Sequence, residues 1–234
     1  MSNSDLFTEK SIKSGIARAV VSHPFDCTRI FMQNSNKSIS TYEAMHSIFK
    51  RNGIGGFYKG ITPFMGGNIF LLSIYSNAYY KFKNKHGSFL AGAIGGVSGS
   101  PIATFIEYYR SQYFSHSFNF QVKNCMHSLP IIMMRDSIGW GAFFMTFSKS
   151  KELCKDIPQP FQAITVGSIS GLALWTSMFP LDTIKTRIQS GIDKSILDSI
   201  TKCYKMGGIG KFWTGYVSCL LRAIPVNSVL VWFL

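Results

Sequence analysis

At 234 residues and 46% hydrophobic content the chain has the size of one or two soluble domains, but its apolar residues come in long blocks. A formal net charge of +13 suits nucleic-acid binding, yet no Lys/Arg cluster of the arm or tail kind occurs. Instead Arg18, Arg135 and Arg222 lie inside apolar runs, placements that are expensive in soluble cores and bilayers alike.

The opening MSNSDLFTEK has neither the apolar core of a signal peptide nor an Arg-rich amphipathic pattern, so any targeting information is expected to be internal. The first predicted element runs from about Phe7 to Gln33, enough to span a bilayer core, which takes about 20 helical residues. Ser40 to Arg51 is polar with Tyr42, Met45, Ile48 and Phe49 at helical spacing, a short amphipathic helix suited to a membrane surface. A glycine turn, Asn52-Gly53-Ile54-Gly55-Gly56, leads through Phe57-Tyr58-Lys59-Gly60 into a second span that ends near Lys83. There Lys81, Lys83 and Lys85 mark a water-facing end.

A third span opens at Phe89, where Gly92 and Gly96 give the small-x-x-x-small spacing of closely packed helices. A polar linker follows from Arg110 to Ser128. Leu129 to about Phe147 is then apolar with Arg135 and Asp136 inside it, and the fifth span runs from Phe161 to Gln189. Ile192 to Met206 repeats the amphipathic pattern and Gly207-Gly208-Ile209-Gly210 the glycine turn. Phe212-Trp213-Thr214-Gly215 opens a last span.

One motif recurs along this order. Pro180, Asp182, Lys185 and Gln189 stand at the same offsets as Pro24, Asp26, Arg29 and Gln33. Gly96 precedes Glu107 by the interval that separates Gly171 from Asp182, which fixes a third copy at Phe105-Ile106-Glu107-Tyr108-Tyr109-Arg110, with Phe in place of Pro. A single acid-base pair reads as a solvated helix end, but three copies in register do not. No nucleophile elbow, P-loop or dinucleotide fingerprint occurs. The five cysteines form no C-x-x-C pair, and the histidines show no metal spacing, so neither a metal site nor a cofactor is expected.

Three repeats of two helices, with Pro, acid, base and Gln after the odd helices and an aromatic-x-x-Gly opening the even ones, resemble the mitochondrial carrier family. Repeats one and three carry the likeness in full, and repeat two in charge and glycine spacing only. The resemblance implies an all-α membrane protein of the inner mitochondrial membrane: six transmembrane helices in three pseudo-threefold repeats around a central cavity, with short amphipathic matrix helices. The repeats would be residues 1–86, 87–156 and 157–234. It implies a transporter, not an enzyme, working as a monomer without nucleic acid.

In such a carrier the prolines angle odd helices inward, and Asp26, Glu107 and Asp182 meet Arg29, Arg110 and Lys185 of neighbouring helices in a matrix gate. Gln33 and Gln189 brace two of the pairs, and Phe114 stands at the third place. On the opposite face the family's acids are replaced by Tyr80 and Ser148 while Lys83 and Lys151 remain, so a cytosolic gate is expected to be nearly absent. Substrate contacts fall at Gly67, Arg135 and Arg222. Gly67 and Asn68 would leave room, Arg135 would take a carboxylate and Asp136 an ammonium, and Trp175 would either stack on a base or pack. A small anionic metabolite is therefore expected, with nucleotide and amino acid both open, and cardiolipin is expected at Tyr58-Lys59-Gly60. The competing classes are a basic nucleic-acid- or partner-binding protein and a non-transporting membrane pore.

Overall fold

The computed structural model describes residues 3–35, 39–59, 61–113, 122–217 and 219. The helices are α1 (Asn3–Asn34), α2 (Thr41–Asn52), α3 (Ile61–Tyr113), α4 (Val122–His127), α5 (Leu129–Leu153), α6 (Gln159–Gln189) and α7 (Ile196–Gly207). Short 3-10 turns follow α2 (Ile54–Tyr58) and α7 (Gly208–Trp213), and no strand occurs among the described residues.

α3 is two helices joined at one residue. Gly87 has φ 79 and ψ 166, a backbone state that glycine adopts without steric conflict, and the chain turns there without a loop. The arms 61–86 and 88–113 hold the second and third expected spans, and Lys81, Lys83 and Lys85 are exposed at the bend. α4 falls inside the stretch expected to be a plain polar linker. Of the last expected span, Leu220 onward, with Arg222, lies outside the described residues, as does Phe114.

The repeat is visible in the local chemistry. Ser40 caps α2 through a capping box with Glu43, and Ser195 caps α7 by accepting from the Asp198 backbone. Both helices end on a glycine at φ 60, Gly53 and Gly208. Cys27 donates from Sγ to the Phe57 carbonyl (3.1 Å), and Thr183, at the same place in the later motif, donates from Oγ1 to the Phe212 carbonyl (2.8 Å). Each bond ties an odd helix to the turn that opens the following even one.

The small-residue spacing of the third span is used as expected. A Cβ added at Gly92 would run into the Trp140 carbonyl oxygen, and one at Gly96 into that of Asp136. α3 and α5 therefore touch backbone to backbone, and this fixes the height of Asp136. Tyr75 and Tyr79 of the first arm pack on Trp140 and Phe144 at centroid distances of 4.2 and 4.1 Å. Around this core the usual soluble order is reversed: Leu90, Ile94, Met134 and Ile138 are exposed, while Arg29, Arg135, Asp136, Asp182 and Lys185 are buried. Two stretches are long and apolar enough to cross a membrane by length and composition, Phe161–Gln189 and Ile74–Tyr109, the latter folded at Gly87.

Candidate functional site

The three motif copies end α1, the second arm of α3, and α6, and their acids converge. Pro24 and Pro180 lie inside helices that continue through them, and Thr28 Oγ1 donates to the Pro24 carbonyl at 2.8 Å. From α1, Arg29 Nη1 donates to Asp182 Oδ2 at 2.6 Å. One turn on, Gln33 Nε2 donates to the same oxygen at 3.0 Å and lies 3.3 Å from Thr183 Oγ1. From α6, Lys185 Nζ reaches Glu107 Oε2 on α3 at 3.1 Å. Two of the expected pairs and one brace are thus present, each between different helices.

The remaining motif residues differ in detail. Asp26 is buried, 3.8 Å from Arg29 of its own helix. Arg110 belongs to α3, but its side chain lies outside the described residues. Gln189 was expected to brace an ion pair. Its described bond goes from Nε2 to Ser128 Oγ (3.2 Å), just before α5, so it fastens α6 to the start of α5, a place the sequence treated only as linker. Beyond the cluster, Ser190 Oγ donates to Asn34 Oδ1 (2.8 Å) and Lys211 Nζ to the Ser35 carbonyl (3.2 Å), closing the end of α6 and the 3-10 turn after α7 against the end of α1.

Arg135 is the residue whose place the sequence left least defined. It lies in the second turn of α5, level with the motif acids. Its Nη1 donates to Glu107 Oε2 (2.8 Å) and to Asp182 Oδ1 (3.1 Å), and its Nη2 to Glu107 Oε1 (3.1 Å). Nε and Nη2 both donate to Asp136 Oδ1, at 2.8 and 2.6 Å. Asp136 Oδ2 is buried with no hydrogen-bond partner among the described residues. One guanidinium therefore links three carboxylates, two of them from the motif copies. Helical periodicity gave no signal for this, since the contacts depend on how far a long side chain reaches between helices.

One expectation is corrected. Gly67 does not leave room: a Cβ there would run into Ile106 Cδ1, so the space is filled by the neighbour of Glu107. Of the two states open for Trp175, one of its faces shows packing, with the Arg29 guanidinium 4.8 Å from its ring centroid. Asn68 lies on α3 with its side chain outside the described residues. Among the described residues no group of three or more His, Cys, Asp or Glu could hold a metal ion.

At the other end the lysines face rings. Lys83 Nζ lies 5.6 Å from the Tyr79 centroid and 5.7 Å from that of Tyr80, and Lys151 Nζ lies 5.9 Å from the Phe147 centroid. Such contacts at exposed sites are worth about 0.5–1 kcal/mol. Just past the end of α6, Asp193 is held by Arg187 of its last turn through Nε at 2.6 Å, and Lys202 Nζ adds a contact at 3.2 Å. Burial opposes the Asp193 charge, but the contacts from Arg187 and Lys202 outweigh it and hold the carboxyl below its ordinary range.

Comparison with known proteins places this geometry in context. Residues 11–88 and 156–234 match the family described as mitochondrial carrier protein. The unmatched middle holds the motif copy that lacks its proline. The chain is 28% identical over 259 residues to a mitochondrial glycine transporter of Saccharomyces cerevisiae, covering 92% of this chain and 84% of that one. It is 23% identical over 263 residues to a glutamate/glycine mitochondrial carrier of Schizosaccharomyces pombe, at 93% and 88% coverage. A mitochondrial basic amino acids transporter of Rattus norvegicus is 25% identical over 252 residues, at 92% and 82% coverage.

Proposed function

The chain belongs to the mitochondrial carrier family, a family of solute transporters and not enzymes, and from that premise we propose that it exchanges a small amino acid across the inner mitochondrial membrane by alternating access. The observation that carries the substrate class is the buried pair Arg135 and Asp136. A guanidinium suits a carboxylate, and the unpartnered Asp136 Oδ2 suits an ammonium. Relatives named for glycine, glutamate and basic amino acids support the same class. The basic excess of +13 favours a nucleotide as second reading, but the filled space at Gly67 and the covered face of Trp175 favour the smaller solute.

In this reading Asp26, Glu107 and Asp182, with Arg29, Arg110 and Lys185, form the matrix gate. Gln33 braces it, and Gln189 anchors it to α5. Arg135 and Asp136 contact the substrate, with Asn68 and Arg222 as further contacts, within repeats 1–86, 87–156 and 157–234. Cardiolipin meets the turn at Lys59, and the carrier acts as a monomer. With Tyr80 and Ser148 in place of acids, Lys83 and Lys151 have no acid at the matching places of the first two repeats, so the resting carrier opens toward the cytosol.

Reconstituted vesicles test the reading. Labelled glycine, glutamate, arginine and ATP are offered with and without the same solute inside, and exchange is expected for an amino acid. Exchange of ATP alone would replace the substrate class, and failure of every solute would remove the carrier reading.

A further inference from the structure

Resting on the amino-acid reading, we propose that Glu107 occupies at Arg135 the place that the substrate carboxylate takes, so that substrate binding and release of the closed end are one event. A guanidinium has five N–H donors. Arg135 makes five hydrogen bonds, two to Glu107, one to Asp182 and two to Asp136. No donor is left over, so a carboxylate binds Arg135 only by displacing one already there.

Glu107 is the exchangeable partner. Asp136 is next to Arg135 in the chain and moves with it. Asp182 makes a single contact and is also held by Arg29 and Gln33. Glu107 faces Arg135 through the two-point fork by which a guanidinium binds a free carboxylate, Nη1 to Oε2 and Nη2 to Oε1. Its side chain is 27% exposed, against 1% for Asp182 and 2% for Asp136. It also has a second cation, Lys185, to retain after leaving.

Displacement breaks the polar tie between α3 and α5 at this end, while the substrate ammonium meets Asp136 Oδ2. A solute lacking a carboxylate cannot make the exchange, and in the empty carrier Glu107 refills the fork. Obligatory exchange then follows from one competition.

Thr186, 1% exposed beside Lys185, supplies the reporter. With Thr186→Cys in vesicles, labelling by a water-soluble thiol reagent is compared with and without Glu107→Gln, and glycine uptake is measured in parallel. Because a charge-assisted bond is about twice as strong as a neutral one, Glu107→Gln is expected to raise basal labelling about tenfold and to lower the KM for glycine by a similar factor. Uptake into empty vesicles should rise toward that into loaded ones. Unchanged basal labelling, or an unchanged or raised KM, overturns the proposal.

A second measurement needs no change at Glu107. Thr186→Cys alone is labelled faster with glycine or acetate and not with glycinamide, and equal acceleration by glycinamide overturns the competition. Absence of amino-acid uptake by the unaltered carrier overturns the substrate reading, whereas basal labelling of Glu107→Gln tests the lock without any substrate.

Discussion

Replacing Asp182 by Asn keeps the shape of the side chain and removes its charge. The carboxylate accepts from Arg29 at 2.6 Å, Gln33 at 3.0 Å and Arg135 at 3.1 Å, all in a buried setting. Hydrogen bonds to charged groups contribute about 1.5–3 kcal/mol and neutral ones about 0.5–1.5. Weakening two cationic contacts therefore removes about 2–3 kcal/mol from the closed arrangement. In the open one Asp182 is wet, and its pairs are worth only about 0–1 kcal/mol each. At about 1.4 kcal/mol per tenfold, the equilibrium shifts roughly 30- to 150-fold toward opening. Labelling of Thr186→Cys reads this directly, with the partly exposed native Cys154 as internal reference. Less than a threefold rise would show that something other than this cluster holds the end closed.

Gln33→Ala should act in the same direction but less, by about tenfold in labelling, and its effect should shrink in the Asp182→Asn background because both act on one carboxylate. Gly96→Ala drives a Cβ into the Asp136 carbonyl oxygen on a rigid helix. It should destabilise by about 1–3 kcal/mol, read as a lower Tm in detergent; an unchanged Tm would mean that α3 and α5 separate freely. The depressed Asp193 carboxyl contributes stability that is complete above its ordinary value near pH 4 and is lost as pH falls through the lower folded value. Asp193→Asn should flatten the acid limb of a Tm-against-pH curve, and an unaltered limb would refute this. Tyr80→Asp and Ser148→Asp together should give Lys83 and Lys151 acidic partners and slow uptake no more than about fivefold per pair, since an exposed pair is worth about 0–1 kcal/mol.

Local signals carried much of this fold. The glycine turns and the Gly92/Gly96 spacing are read within a few residues, and they reappear as a φ of 60 and as a backbone contact. The pairing of Arg29 with Asp182 and of Lys185 with Glu107 was legible because three copies in register require partners on neighbouring helices. The attachment of Arg135 to those acids was not, since it depends on the height of α5, set by the backbone contact at Gly96, and on side-chain reach. Ile106 filling the space at Gly67 was hidden for the same reason: a small residue announces a close approach without saying what approaches.

The turn at Gly87 differs in kind from the junction between α5 and α6. Between the arms of α3 the change of direction resides in the torsions of one residue, so any change of angle between the arms is a rotation at Gly87. α5 and α6 are instead joined by residues 154–158, across which Gln162 Nε2 donates to the Cys154 carbonyl at 2.6 Å. The two joints between long helices are therefore built differently: one glycine's torsions set the angle between the arms of α3, and a hydrogen-bonded stretch of five residues sets that between α5 and α6.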